Sequence, residues 1–217
     1  MADNTQYYGA RWVRSESGQN EQPTPQRFRI ASGYQPTAGG TNVDLHVGDP
    51  VTLLSTGYVQ LMVGSEGTQT ANWGVIVGFS PEFDGTVMQP RNKHVGGSGV
   101  YGTNFERQNY CYVVPAVGQV FEMDCDDAST ATTYAQYLAL IGENVDMVLA
   151  ADTTNANDPK ATPRIDISTH NPATATLQAR IIDISPTIAN QDFSGNYVKL
   201  YVTFNKVQQA PYQTTGV

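Results

Sequence analysis

The strongest constraint on the fold is a strong two-residue alternation of apolar and polar side chains in the last third of the chain. Residues 174–184 and 196–206 both alternate, and residues 164–168 repeat the pattern over a shorter span. Such alternation is typical of antiparallel strands with one face on a core and the other toward solvent. The last run predicts a buried set and an opposite polar set. The buried set is Val198, Leu200, Val202 and Phe204, and the polar set is Tyr197, Lys199, Tyr201 and Thr203.

Shorter apolar runs earlier in the chain predict further strands. Residues 51–54 and 58–63 indicate a hairpin, and residues 73–79 and 145–150 indicate single strands. Residues 80–99 are rich in glycine and proline, so they predict a long surface loop with a function of its own. The chain therefore carries roughly nine or ten predicted strands, which indicates a packed β architecture.

One short helix interrupts the strands. Its apolar positions have the i, i+3, i+4 and i+7 spacing of one helical face, and they are Tyr134, Tyr137, Leu138 and Ile141. Ser129 is the expected N-cap, and Gly142 is the expected left-handed residue after the last turn. We therefore predict an all-β, mainly antiparallel protein, a β-sandwich or barrel with a jelly roll as one form, containing this single helix.

Both cysteines fall in a predicted β-hairpin, with strands at 109–114 and 120–125 and a turn at 115–118. With a two- or four-residue loop, Cys111 and Cys125 point to opposite faces of the hairpin, whereas a three- or five-residue loop brings them closer to one face. A disulfide requires α-carbons within about 7 Å and side chains on the same side. We expect two free, partly buried thiols, which fits a reducing compartment.

The start of the chain differs in composition from the rest. Residues 3–40 are rich in Gln, Asn, Ser, Gly and Pro, and they show little apolar periodicity. We predict an extended N-terminal arm over residues 1–41 and a β-rich domain over 42–217, with one candidate sub-boundary near 100–108. The first residues lack the basic start and apolar core of a signal peptide, so we expect synthesis in the cytoplasm without secretion.

Composition argues against several classes of protein. Lys and Arg total 12 against 20 Asp and Glu, and the resulting net charge of −8 disfavours a nucleic-acid partner. No apolar run approaches the roughly 18 residues of a membrane-spanning helix, so no membrane partner is expected. The chain is 40% hydrophobic and 10% aromatic, which argues against wholesale disorder.

No motif with catalytic or metal-binding spacing is present in the sequence. Clustered aspartates at 124, 126 and 127 could offer oxygens to a calcium ion, but an acidic turn before a helix explains them better. The histidines lack metal-motif spacing and are expected on the surface or in turns; they are His46, His94 and His170. The nucleophile elbow and the phosphate loop are also missing. We assign no catalytic residue, no metal ligand and no cofactor.

Arginine and aromatic residues are the best candidates for an interaction surface. The chain has 12 Tyr against 7 Phe, and tyrosine suits interfaces because it combines apolar area with a polar tip. Trp and Arg dominate interface hot spots, so a tryptophan between arginines in an arm indicates an anchor. Packing of that tryptophan on its own domain, and tyrosines that merely cover half-exposed strands, are the alternatives. The predicted contact residues are Arg11, Trp12, Arg14, Tyr197 and Tyr201, and Tyr110 and Tyr112 form a further pair.

Several segments share turn and strand patterns with one family of viral proteins. They are residues 43–51, 57–59, 74–78, 112–115, 118–122, 144–148 and 173–182, which read VDLHVGDPV, GYV, GVIVG, YVVP, GQVFE, NVDMV and ATATLQARII. Over roughly residues 42–204 the chain resembles the decoration proteins, also called cement or head auxiliary proteins, of tailed-bacteriophage capsids. The recurring positions are glycines, prolines and core apolar residues, so the resemblance assigns no functional residue.

The resemblance implies a structural virion protein without enzymatic activity. Such a protein binds the outer surface of an assembled phage capsid, with the major capsid protein and further copies of itself, as a homotrimer, for partners. An attached protein that binds only the assembled shell stabilises it by mass action. A carbohydrate- or receptor-binding protein of the virion surface is the alternative, with the tyrosine-rich faces and residues 80–99 as its binding platform.

Overall fold

Strands dominate the computed structural model, which describes residues 9–30, 45–62, 72–83, 88–89, 93–94, 110–126, 130–149, 163–173, 177–187, 192–194 and 197–208. Only the backbone is described at 82–83, 88–89, 93–94 and 149. The elements are β1 (Arg11–Ser15), β2 (Gln26–Ile30), β3 (Leu45–His46), β4 (Pro50–Leu53), β5 (Tyr58–Leu61), β6 (Gly74–Phe79), β7 (Glu82–Phe83), β8 (Met88–Gln89), β9 (Lys93–His94), β10 (Tyr110–Pro115), β11 (Gln119–Asp124), α1 (Tyr134–Ala139), β12 (Asn144–Leu149), β13 (Pro163–Asn171), β14 (Ala179–Ile184) and β15 (Lys199–Phe204).

The strands form two main sheets. One is a six-stranded sheet in the order β1-β11-β15-β14-β12-β13, and the other is a closed barrel in the order β10-β2-β5-β4-β6. Neighbours are antiparallel except β2 and β5, which pair in parallel. The predicted all-β, mainly antiparallel class is confirmed. Among the described strands the arrangement is a small barrel joined to an open sheet, rather than the paired Greek keys of a jelly roll.

The short connection between β10 and β11 joins the two sheets. β10 pairs with β2 and β6 in the barrel, whereas β11 pairs with β1 and β15 in the six-stranded sheet. Gly118 takes a positive φ of 66°, and the Gln119 amide donates to the Ala116 carbonyl at 3.2 Å. The predicted strands are therefore present, but the predicted hairpin is wrong. Partners elsewhere in the chain hold each strand, so the chain crosses between sheets instead of folding back.

The described part of the N-terminal segment lies within both sheets. β1 is an edge strand of the six-stranded sheet, where it pairs with β11, and β2 is held in the barrel between β10 and β5. The prediction of an extended arm is therefore wrong for residues 9–30. The prediction failed because these two strands show little apolar periodicity. β1 and β2 are only five residues long, and each has a single buried residue, Ser15 in β1 and Ile30 in β2.

The core consists of two separate clusters, and the barrel strands contribute residues to both. The larger cluster lies against the six-stranded sheet, and the barrel contributes Met62, Val75 and Val114 to it. A smaller cluster fills the barrel, and it contains Ile30, Leu45, Val51, Val59, Leu61, Ile76, Cys111 and Val113. Burial of this apolar surface is the main stabilising term for both sheets.

Helix α1 covers one end of the larger core. Thr133 is its N-cap, where its hydroxyl accepts a hydrogen bond from the Gln136 amide, and Ser129 lies outside the described residues. The predicted position is correct, and Gly142 has the predicted positive φ, 92°. The predicted apolar face is wrong, because only Tyr137 and Leu140 are buried. Tyr134, Leu138 and Ile141 are exposed.

Most of the remaining strand predictions are confirmed. β4 and β5 form the predicted hairpin, and β6, β12, β13, β14 and β15 lie within or across the predicted runs. The predicted loop at 80–99 contains the short strands β7, β8 and β9. The structure does not describe residues 84–87, 90–92 and 95–99 of this predicted loop. It also does not describe the candidate sub-boundary at 100–108 or the aspartate at 127. Among the helices that the structure describes, none is long and apolar enough to cross a membrane.

Candidate functional site

A row of polar side chains crosses the face of the six-stranded sheet that points away from the core. Arg11 lies opposite Glu122, Glu122 lies opposite Tyr201, and Tyr201 lies opposite Asp183. This register brings two of the predicted contact residues, Arg11 and Tyr201, onto one row. The row spans four strands whose positions in the sequence are far apart, so no local spacing signals it.

Glu122 is the buried centre of this row. Its Oε1 accepts a hydrogen bond from Arg11 Nη2 at 2.7 Å, and its Oε2 accepts one from Ser185 Oγ at 2.5 Å. The Glu122 side chain is 6% exposed, whereas the Arg11 side chain is 59% exposed. Two charge-assisted hydrogen bonds compensate the carboxylate for its loss of water. Arg11 therefore completes an intramolecular pair and still offers part of its surface to solvent.

A second buried pair lies beside the row. Lys199 Nζ donates a hydrogen bond to Asp124 Oδ1 at 2.8 Å. Burial raises the pKa of Asp124, and the hydrogen bond and positive charge of Lys199 offset part of that rise. The Asp124 carboxylate is thus paired with the Lys199 ammonium group. This pairing gives no support to a calcium site at the acidic cluster. Within the described residues, no group of three or more His, Cys, Asp or Glu side chains could hold a metal ion.

Trp12 packs on its own domain. Its side chain lies against the larger core, and its Nε1 donates a hydrogen bond to Gln119 Oε1 at 2.8 Å. Self-packing was the alternative to an anchor on a partner, and the structure shows self-packing. Removal of the ring therefore acts on the stability of the fold. Arg14 lies beyond a β-bulge in the same strand, where it is half-buried and pairs in register with Val120.

Tyr197 precedes β15 in an unusual backbone conformation. It has a φ of 79°, a region that non-glycine residues rarely adopt. The guanidinium carbon of Arg164 lies 4.7 Å from the centre of its ring, a cation–π distance. The Tyr197 ring is therefore engaged within the chain.

A groove opens where β14 ends. Its volume is about 490 Å³, and its lining combines aromatic rings with hydroxyl groups and one carboxylate. The groove forms because the chain leaves β14 at Ser185 while α1 and Phe193 stand on the other side. The lining residues are Tyr134, Asp183, Ile184, Ser185, Pro186, Thr187, Phe193 and Tyr201. Of the predicted contact residues, only Tyr201 lines this groove, and the exposed Tyr134 was expected in the core.

A second surface, which we call the barrel face, lies on the outside of β2 and β10. Tyr112 pairs in register with Arg27, and Tyr110 pairs with Arg29, so these four side chains share one side. The guanidinium carbon of Arg27 lies 4.6 Å from the centre of the Tyr110 ring, and Tyr112 is 37% exposed. The sequence predicted the tyrosine pair, but it could not predict the arginines, because β2 lies about 80 residues upstream of β10.

The histidines and cysteines occupy separate positions. His46 is buried at the end of strand β3, where its main-chain amide donates to Asp49 Oδ2 at 2.7 Å, so the expected position at the surface or in a turn is wrong for this histidine. His170 pairs with Glu143 at the surface, and the side chain of His94 is not described. Cys111 and Cys125 are both free and buried, as predicted. They lie in two different core clusters. This separation, and not the geometry of a hairpin, is the reason that they form no disulfide with each other.

The arrangement offers two surfaces suited to binding, the groove and the barrel face. Comparison of the chain with protein-family models, with curated proteins and with solved structures finds no match.

Proposed function

We propose that this protein is a structural component of a phage virion that binds the outer surface of the assembled capsid and stabilises it without enzymatic activity. The proposal starts from the sequence resemblance to decoration proteins. The structural observation that carries it is the barrel face, where exposed tyrosine and arginine side chains lie together on a rigid closed barrel. The proposed partners are the major capsid protein and two further copies of the chain.

The composition of the barrel face favours a protein partner. Tyrosine and arginine are among the residues most enriched at interface hot spots. Arg27 is exposed, and its one described interaction is with the Tyr110 ring, so its charge is available to a partner. Stacking on tyrosine also holds the guanidinium in place, which lowers the entropy cost of binding.

The closed barrel supplies the rigidity that such a contact needs. Cys111 and Val113 alternate with the two tyrosines and point into the barrel core. Tyr112 also lies across from Gly78 of β6, so β10 is paired on both of its sides within the barrel. A rigid surface loses little conformational freedom on binding, so more of the contact energy appears as affinity.

Cosedimentation with phage heads tests the proposal. Heads assembled without the chain are incubated with the purified protein, and we expect the protein to sediment with them and to raise their resistance to heat. Arg27→Glu and Tyr112→Ala should each weaken binding by at least about tenfold, the size expected for a hot spot. Light scattering of the free protein measures whether it forms the proposed trimer.

Arg180→Glu is the matched control for Arg27→Glu. Arg180 is an exposed arginine on β14, in the other sheet, so the variant makes the same charge change away from the barrel face. We expect it to bind heads as the unmodified protein does. Absence of any head binding overturns the proposed function. Head binding that Arg27→Glu and Arg180→Glu weaken equally overturns the role of the barrel face.

A further inference from the structure

The groove at the end of β14 has an aromatic wall held in place by the core. Tyr134 is 54% exposed, and its ring centre lies 5.3 Å from that of Phe193. Phe193 in turn lies 5.8 Å from the buried ring of Tyr137. The three rings form a chain from the interior to the surface. Tyr134 therefore presents apolar ring surface to solvent from a position that packing fixes.

The groove also contains hydrogen-bonding groups that the described part of the chain does not use. Oδ1 of Asp183 accepts a hydrogen bond from the Ile184 amide at 2.8 Å, which leaves Oδ2 as an acceptor. The hydroxyl groups of Tyr134 and Tyr201 have no partner among the described residues. These groups can donate to and accept from a ligand at the same time as the rings cover its apolar surface.

Charge and size limit what can occupy the groove. Asp183 is the one charged residue among those that line it, so a phosphate, sulfate or carboxylate group would meet repulsion there. The volume of about 490 Å³ lies within the range of roughly 300–1,000 Å³ that holds small ligands. Anionic ligands are therefore disfavoured, and the lining of rings and hydroxyl groups favours a small occupant that is both apolar and rich in hydrogen-bonding groups.

We infer that the groove is a binding site for a neutral saccharide of one or two sugar units. A pyranose ring carries an apolar C–H face that packs on an aromatic ring, and its edge carries hydroxyl groups. Tyr134 and Phe193 supply the aromatic side, and Asp183 and Tyr201 supply a hydrogen-bond acceptor and a donor. The site does not depend on the proposed capsid contact, because it lies on the six-stranded sheet and not on the barrel.

Saturation-transfer NMR with the purified, full-length protein tests this inference. The probes are glucose, galactose, N-acetylglucosamine, maltose and lactose, with isothermal titration calorimetry for every probe that gives a signal. We expect at least one neutral sugar to bind with a Kd below about 10 mM, as is usual for a shallow site with few hydrogen bonds. Tyr134→Ala and Asp183→Ala should each weaken that binding by about tenfold or more.

Leu138→Ala is the matched control for Tyr134→Ala. Leu138 is an exposed residue one helical turn further along α1 and does not line the groove, so its removal should leave sugar binding unchanged. Asp183→Asn keeps the side-chain shape and separates the role of the charge from that of packing. Thermal unfolding of each variant shows that the fold is intact before binding is measured.

Three results overturn the inference. The first is the absence of binding to every neutral sugar at about 10 mM. The second is sugar binding that the Tyr134, Asp183 and Leu138 variants leave equally unaffected. The third is preferential binding of sialyllactose, an anionic sugar, or of a short lysine-containing peptide, both of which are measured beside the neutral probes. Head binding is measured separately, so failure of this inference is distinguishable from failure of the proposed function.

Discussion

The Nζ atom of Lys199 donates a hydrogen bond to Oδ1 of Asp124 across the β11–β15 pair, and both side chains are buried. The sequence placed Lys199 on a solvent-facing side of the last strand. The sheet instead keeps this side dry near β15, where Thr203 also donates a hydrogen bond to Glu16 Oε1 at 2.6 Å. The two faces of β15 therefore differ in polarity, and the polar face is also buried apart from the half-buried Tyr201.

Removal of one member of this ion pair should destabilise the fold strongly. Lys199→Met leaves the Asp124 carboxylate buried without its cation, and the expected loss in unfolding free energy is about 3–5 kcal/mol. The double variant Asp124→Leu with Lys199→Met removes both charges and should lose much less. Urea unfolding compares the original protein, the single variant and the double variant, with Arg180→Met as an exposed control. Equal losses in the single and double variants would contradict this account.

The pH dependence of stability should carry the signature of Asp124. Burial gives its carboxyl group a higher pKa in the folded protein than in the unfolded chain, so the folded state holds the proton more tightly. Falling pH then stabilises the fold through this group, and rising pH removes that contribution, in the window just above the ordinary value of 3.8. The unfolding free energies of the original protein and of Asp124→Asn are compared from about pH 7 to pH 4. The original protein should gain stability relative to the variant as the pH falls. A gain in the stability of Asp124→Asn relative to the original protein as the pH falls would contradict this prediction.

Two glycines in β6 should respond very differently to the same substitution. A Cβ atom at Gly74 would lie 2.1 Å from the Val114 carbonyl oxygen and 2.6 Å from Val113 Cγ1. Because backbone blocks that position, Gly74→Ala should cost at least about 2–3 kcal/mol of unfolding free energy. Gly78→Ala is the control, since its nearest contact is the Tyr112 ring at 3.9 Å. Thermal unfolding compares the two, and equal midpoints would show that β10 does not pack on Gly74 this closely.

The two thiols should be unreactive until the protein unfolds. Burial raises the pKa of Cys111 to about 12, and burial also raises the pKa of Cys125. Thiolate is the reactive form, so both cysteines should resist Ellman's reagent at about pH 8 in the native state. Both should react in guanidinium chloride, because neither is in a disulfide. Rapid reaction of either thiol in the native protein would contradict its burial.

Local patterns predicted the strands well and their pairing poorly. The set Val198, Leu200, Val202 and Phe204 is buried as the alternation indicates, because alternation reports the two sides of a strand directly. The turn at Gly118 has the same local signal whether the chain folds back or crosses to another sheet. β11 is held by β1 and β15 instead of β10, and those partners compete from distant parts of the chain.

The candidate surfaces were predictable only in part, for the same reason. Tyr201 and Arg11 were selected as single residues, and their shared row with Glu122 arises from register across three strands. The groove adds Tyr134, which helical periodicity assigned to the core. Helix α1 has only six residues and buries Tyr137, so the neighbouring positions remain at the surface. Burial on so short a helix depends on what it packs against, which sequence spacing does not contain.

The pairing of β1 with β11 also determines how long the first strand of the growing chain remains without its partner. Trp12 and Gln119, which bond to each other in the finished fold, are 107 positions apart. At a synthesis rate of roughly 5–20 residues per second, the first strand spends about 5–20 s on the ribosome before its partner exists. The barrel waits almost as long for β10. The apolar side of Trp12 therefore lacks this partner strand while the 107 positions up to Gln119 are made, and a chaperone that binds nascent chains can bind there during that time.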